Sequence, residues 1–160
     1  IRRTRPDARL ILVGDGPVAA RARARHPHFV HCGMREGETL ATHYASADLF
    51  LFPSLTETFG NVVLEAMASG LAVVAFDYAA ARAHLNSGRD GLSVPFGDQA
   101  AFVGAAVALA REPARLENLG RAARQSVERL DSERIYDRLE ASFLQLVSGE
   151  PSCSTASLAT

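Results

Sequence analysis

One hundred and sixty residues, a formal net charge of −1 and 48% hydrophobic composition describe a single soluble domain able to bury a real core. The near-neutral charge gives no footprint for nucleic acid, and no apolar run approaches membrane-spanning length. All 17 basic residues are arginine, which excludes a Schiff-base lysine or a Walker-type phosphate loop from this stretch. Cys32 and Cys153 are too few and too dispersed for a disulfide scaffold or a structural zinc site, and they fit a reducing, cytoplasmic compartment. Ile1-Arg2-Arg3-Thr4-Arg5-Pro6 resembles neither a start nor a secretion signal, so a piece of a longer protein is expected.

In chain order, residues 9–13 read as a first strand closed by Gly14-Asp15-Gly16. Pro17 is expected as the first residue of a short helix in which Arg21, Arg23 and Arg25 form a solvated face. Residues 29–32 form a second strand, ahead of a helix near 36–46. Residues 47–53 make a third, apolar strand, and residues 61–69 a helix that Gly70 stops. Residues 71–76 are apolar without alternation, as a strand covered on both faces should be. Residues 92–94 are a short fifth strand. Beyond Asp98 the pattern is helical over 99–111, 113–130 and 132–147, and residues 148–160 are expected to be a disordered tail. Strands alternating with helices over short links predict an α/β fold: a Rossmann-like, doubly wound parallel sheet with right-handed crossovers and extra C-terminal helices. Leu10, Leu12, Leu49, Leu51, Val62, Val63, Ala66, Met67, Val73 and Val74 are expected to be buried.

The junction between the third strand and the next helix is the most informative stretch. Glu57 and Glu65 bracket a Phe59-Gly60-Asn61 turn, so a helix N-terminus opens at the carboxyl end of a buried strand. Ligands of open α/β sheets sit at that rim, and the free N–H groups of Gly60, Asn61 and Val62, backed by the helix dipole, suit a phosphate. At a hundred degrees per residue Val62, Val63, Ala66 and Met67 share an apolar arc. Asn61, Glu65 and Ser69 form a polar stripe beside it. Taken alone, the spacing also permits a merely solvated Glu65.

Other constellations are weaker. Gly14-Asp15-Gly16-Pro17-Val18-Ala19 fits the loose Gly-x-Gly-x-x-Ala dinucleotide pattern of an oxidoreductase, but the acid it needs at the end of the next strand is replaced by His31-Cys32-Gly33. A tight Asp-Gly turn facing the ligand cleft remains. His26, His28, His31 and Cys32 cannot all converge on a metal, because alternate strand residues face opposite sides. Ser54 and Ser69 lack a nearby base in any hydrolase pattern. Reading Glu57 and Glu65 as glycosidase carboxylates leaves the anion-ready helix terminus between them unexplained.

Residues 48–54, continued by Glu57-Thr58-Phe59-Gly60-Asn61-Val62-Val63-Leu64-Glu65-Ala66-Met67-Ala68-Ser69-Gly70, resemble the donor-site signature of retaining, nucleotide-sugar-dependent glycosyltransferases. The family is the GT-B group called glycosyltransferase group one, or family four. Val13-Gly14-Asp15-Gly16-Pro17 upstream agrees with it, as do Gly88, Gly91-Leu92 and Val94-Pro95-Phe96-Gly97-Asp98 downstream.

This resemblance implies that residues 1–147 are the C-terminal, donor-binding domain of a two-domain enzyme, lacking its first elements. The partners it implies are a nucleoside diphosphate sugar as co-substrate and the N-terminal, acceptor-binding half. Any peripheral contact with the cytoplasmic face of a membrane would be made through that half. By the same resemblance Glu57 reaches the transferred sugar and is the catalytic candidate, while Glu65 bonds the ribose hydroxyls. Phe59, Gly60, Asn61 and Val62 present amides to sugar and diphosphate, Met34 and Arg35 cover the base, and Gly14 and Gly16 line the cleft. No metal and no further cofactor are implied, in keeping with the lack of an Asp-x-Asp pair. The Arg and Lys that neutralise the diphosphate precede the first strand, so this stretch is expected to be inactive by itself. Ala79-Ala80-Ala81 departs from the Gly-Gly turn of many relatives. The alternative within the same fold is a nucleotide-binding module without catalysis.

Overall fold

The structure, a computed structural model, describes residues 1–57, 61–130, 140 and 143–144. The chain divides into two units, Ile1–Glu128 and Arg129–Thr160, and the first contains the elements named here. They are β1 (Ile11–Val13), α1 (Ala19–Arg25), β2 (Val30–Gly33), α2 (Gly37–Ala45), β3 (Leu49–Phe52), α3 (Asn61–Ala68), β4 (Ala72–Phe76), α4 (Ala79–His84), β5 (Leu92–Val94), α5 (Gln99–Ala110) and α6 (Pro113–Glu128). The helix expected over 132–147 and the tail after it fall almost wholly outside the described residues.

Every strand pairing is parallel, as the alternation of strands and helices requires. Among the described residues there are two ladders, β1-β2 and β3-β4-β5, because β1 and β3 each pair on one side only. β4 is the centre of the larger ladder, with Val74 opposite Leu51 on one side and Leu92 on the other. Its uninterrupted apolar sequence has the expected cause. Ala72, Val74 and Phe76 face α5 and α6 through Phe102, Leu109 and Leu119, whereas Val73 and Ala75 face Val63, Ala66 and Met67 of α3 and Ala80 and Ala81 of α4. All five β4 residues are buried, and each large aliphatic side chain fully removed from water contributes about 1.5–3 kcal/mol.

Val63, Ala66, Met67, Val73 and Val74 are buried as expected, while Leu10, Leu49, Leu51 and Val62 are half-buried. Leu12 is a correction: it is 42% exposed, with Ile11 and Val13 close to it, because among the described residues β1 packs substantially against β2 alone. Pro17 is another. It lies in the turn before α1, where Ala19 N donates to Gly16 O at 2.9 Å, and the helix starts only at Ala19.

The helix α4 was not expected from the sequence. Its first residue, Ala79, has φ 44°, a left-handed backbone that glycine adopts freely and alanine at a cost of about 1–2 kcal/mol. That is the conformation a Gly-Gly turn would supply at this place. Gly70, at φ 79°, ends α3 as anticipated: its N–H donates to Met67 O at 2.9 Å, and that of Leu71 reaches back to Ala66 O at 3.1 Å.

α6 crosses that same turn. A Cβ added at Gly120, inside α6, would overlap the carbonyl of Gly70 and press on Ala72 N at 3.3 Å. A mid-helix Gly→Ala change ordinarily stabilises by about 1 kcal/mol, but here backbone meets backbone and neither can swing away. Gly120→Ala is therefore expected to destabilise the fold by about 2 kcal/mol, read as a lowered urea midpoint. Gly104→Ala, where the new methyl meets nothing within 4 Å, should instead raise it.

Candidate functional site

The sites predicted from sequence lie in loops at the carboxyl ends of the parallel strands. β3 leaves the sheet at Phe52, and Pro53 prevents further ladder bonding. Ser54 Oγ then donates to Thr56 O at 2.7 Å, tightening the turn that leads to a half-buried Glu57. Phe59 and Gly60 lie outside the described residues. α3 opens at an exposed Asn61, followed by a half-buried Val62, so its first N–H groups stand at the carboxyl end of β3. Glu65 is exposed, one turn into the helix, while Val63, Ala66 and Met67 are wholly buried. Amphipathic spacing has placed the carboxylate on the outer stripe, as expected.

Tyr44, from α2, is a neighbour of Glu65 that sequence reasoning missed. It packs beside the core with its ring 5.7 Å from Phe50. Burial first, and then the negative charge and hydrogen-bonding carboxylate of Glu65, push its hydroxyl up to about 12. No periodicity links residues 21 positions apart on two helices, so nothing local announces the pair.

The raised value has a pH consequence. The unfolded phenol ionises near 10 and the folded one near 12, so the stabilisation is complete below about pH 10 and is lost as pH rises towards 12. With no lysine in the chain, this window is free of lysine titration. Tyr44→Phe should lose less stability than the parent between pH 10 and 12 in urea unfolding. Equal slopes in the two proteins would remove the assigned shift.

A second set sits after β1 and β2. Gly14, at φ 121°, donates its N–H to Gly33 O at 2.8 Å, which ties the two loops together. Gly16 N donates to Asp15 Oδ1 at 2.8 Å, closing the Asp-Gly turn. Met34 is 58% exposed, and Arg35 Nη1 folds back to donate to Met34 O at 3.1 Å. The structure thus brings Gly14, Gly16, Met34 and Arg35 together in one loop pair, and Glu57, Asn61, Val62 and Glu65 at the other ladder. The dinucleotide fingerprint stays incomplete: β2 ends in Gly33, and Glu36 lies beyond it as the residue capping α2. Tyr78 and Phe96, with rings 4.8 Å apart, form a further aromatic pair just beyond β4 and β5.

The histidines do something different. His26 stacks on Phe29 at 4.9 Å, His28 meets the same ring edge-on at 4.8 Å, and His31 Nε2 lies 3.0 Å from His26 O. They surround the start of β2, at the opposite end of that strand from Met34. Among the described residues no group of three or more His, Cys, Asp or Glu side chains could hold a metal ion, and no helix is long and apolar enough to cross a membrane.

Residues 1–112 match the family described as glycosyl transferases group 1. The chain is 44% identical over 90 residues to a GDP-mannose-dependent alpha-mannosyltransferase of Mycobacterium tuberculosis, an alignment covering 56% of this chain and 24% of that protein. It is 36% identical over 129 residues to the phosphatidyl-myo-inositol mannosyltransferase of Mycobacterium leprae, covering 78% of this chain and 34% of that one. Among solved structures, the sucrose-phosphate synthase of Thermosynechococcus elongatus superposes with a TM-score of 0.74 at 29% identity, over 89% of this chain and 39% of its own. The chain spans between about a quarter and two-fifths of these relatives.

Proposed function

Because the chain belongs to the group 1 glycosyl transferases, we propose that it is the donor-binding part of a longer retaining enzyme that moves a sugar from a nucleoside diphosphate sugar to an acceptor hydroxyl. The observation that carries this reading is α3: a helix N-terminus at the carboxyl end of β3, with Glu57 just before it and Glu65 on its exposed stripe. Such a terminus attracts the diphosphate, and a carboxylate accepts two hydrogen bonds from vicinal ribose hydroxyls. In this reading Glu65 holds the ribose. Glu57 orients the sugar, Phe59, Gly60, Asn61 and Val62 meet diphosphate and sugar hydroxyls, and Met34 and Arg35 cover the base beside the Gly14 and Gly16 turn. The bond from anomeric carbon to diphosphate oxygen breaks as the bond to the acceptor oxygen forms on the same face. The acceptor proton passes to the departing phosphate. No metal takes part in this scheme.

GDP-mannose is the first donor to try, because the name of the Mycobacterium tuberculosis relative specifies it. Titration calorimetry of the longer protein with guanosine, uridine and adenosine diphosphates should show one favoured base. Glu65→Ala should weaken that nucleotide about tenfold or more, since a charge-assisted hydrogen bond contributes about 1.5–3 kcal/mol. Unchanged affinity in Glu65→Ala, or tighter binding of a nicotinamide dinucleotide, would overturn the proposal.

A further inference from the structure

Two aromatic side chains stand exposed at the carboxyl end of the β3-β4-β5 ladder. β4 and β5 are in register at Phe76 and Val94, and Asp77 N donates to Val94 O at 2.7 Å, so the two chains stay together past the strand ends. Two residues beyond that register, Tyr78 and Phe96 come out side by side with rings 4.8 Å apart. Tyr78 is 38% exposed and Phe96 50%, whereas no other phenylalanine or tyrosine described in the unit Ile1–Glu128 is exposed. Single exposed apolar residues are ordinary, but two aromatic rings in contact at the end of a parallel sheet where ligands bind call for an occupant.

The pair is held from below and from the side. Phe96 meets the buried Phe76 at 6.1 Å, edge to face, and Phe76 packs in turn on Phe102 of α5 at 5.3 Å. Beside Tyr78, Arg82 Nη2 donates to Asp77 O at 2.7 Å and Arg82 Nε to Asp77 Oδ1 at 3.2 Å, which fixes the backbone from which Tyr78 projects. The left-handed Ala79 follows at once, and strained backbone of this kind collects at functional positions. A rigid aromatic surface bordered by one carboxylate and one guanidinium has the make-up of a small-molecule site. The electron-rich faces of such rings attract the C–H face of a six-membered polyol, whose equatorial hydroxyls point outward to partners such as Asp77 and Arg82.

We propose that Tyr78 and Phe96 are a stacking platform for the acceptor, and that the acceptor presents a six-membered polyol ring, from a sugar or a cyclitol. This deepens the glycosyl-transfer reading and rests on it. β3, β4 and β5 lie side by side, so the chain leaving β4 is displaced from that leaving β3 by about 5 Å and the chain leaving β5 by about 10 Å. Glu57 follows β3 and, in that reading, orients the transferred sugar. A ring on Tyr78 and Phe96 lies to the side of that sugar, where an accepting hydroxyl is needed.

The test uses the longer natural protein with isotope-labelled phenylalanine and tyrosine. Methyl β-D-glucopyranoside and scyllo-inositol both carry C–H-rich ring faces and distinguish a sugar from a cyclitol, while sorbitol offers similar hydroxyls without a ring. One or both ring compounds should shift the Tyr78 and Phe96 signals, and sorbitol should not. Phe96→Ala should weaken that binding about tenfold, with the nucleoside diphosphate Kd about unchanged. Tyr78→Phe and Phe96→Trp, which keep the aromatic faces, should retain it. Absence of shifts with both rings, equal shifts with sorbitol, or full affinity in Phe96→Ala would overturn the proposal. So would a loss in Phe96→Ala that Phe96→Trp fails to restore, which would make the pair a packing contact. Nucleotide binding is measured separately: loss of ring binding with nucleotide binding intact defeats this inference alone, and a parent protein that binds no nucleotide defeats the donor reading and this inference with it.

Discussion

Asp90→Ala should cost the fold on the order of 4 kcal/mol, summing the hydrogen bonds lost and the buried donors left unpaired. Asp90 is 0% exposed, the one buried charged or polar side chain among the described residues. Its Oδ1 accepts from Asn86 N at 2.7 Å, and its Oδ2 accepts from Asn86 Nδ2 at 2.8 Å and from Ser126 Oγ at 2.8 Å. One carboxyl group therefore closes the link between α4 and β5 and pins it to α6. Alanine would strand the Asn86 N–H and open a void beside it. Asn86 Nδ2 and Ser126 Oγ have other ways to turn towards water. Asp90→Asn keeps the shape and one oxygen, so it should cost less, and Ser126→Ala about 1 kcal/mol. Urea unfolding of the three variants tests the ranking. An Asp90→Ala midpoint within 1 kcal/mol of the parent would mean that the network contributes little.

This contact marks the limit of what the sequence makes visible. The buried strand β4 could be read from five apolar residues in a row, and the outward position of Glu65 from the helical repeat of Val63, Ala66 and Met67, because both patterns are local. Asp90 and Ser126 are 36 residues apart, and the approach of Gly120 to Gly70 spans fifty. No period in the chain connects them. The short helix α4 escaped notice for another reason: six residues rich in alanine carry no amphipathic stripe, and Ala79 starts the helix from a backbone that alanine disfavours. Leu12 was misjudged because apolar character predicts a wish to be covered, while covering depends on which elements are at hand.

The candidate site divides along the same line. The positions of Glu57, Asn61, Val62 and Glu65 relative to β3 and α3 follow from strand, turn and helix in succession, so the sequence alone located them. The bond from Gly14 N to Gly33 O, which joins the loops after β1 and β2, required two parallel strands to be side by side. The influence of Glu65 on Tyr44 arises only in the folded chain, where Tyr44 packs against the core beside α3. These tertiary contacts adjust a candidate site whose residue positions are set locally.

In the longer enzyme proposed above, Glu57→Ala should lower turnover about 100-fold or more while nucleotide affinity falls less than tenfold. Glu57 lies at the end of the turn from β3, before α3 begins, and is half-buried. In the proposed reading it touches the sugar rather than the nucleotide. Contacts to the transferred group tighten as the ring flattens towards an oxocarbenium ion, so their loss raises the barrier more than it weakens the ground state. Glu65 differs, since ribose contacts are the same before and during transfer. Glu65→Ala should therefore weaken donor binding with a much smaller change in turnover at saturation. Glu57→Gln keeps the size and hydrogen-bonding reach but removes the charge, and an intermediate rate would separate orientation from electrostatics. Steady-state kcat and KM, with nucleotide Kd measured directly, distinguish these cases. If Glu57→Ala turns over at the parent rate, or if both glutamates lower affinity and turnover in parallel, Glu57 does not act on the sugar in the transition state.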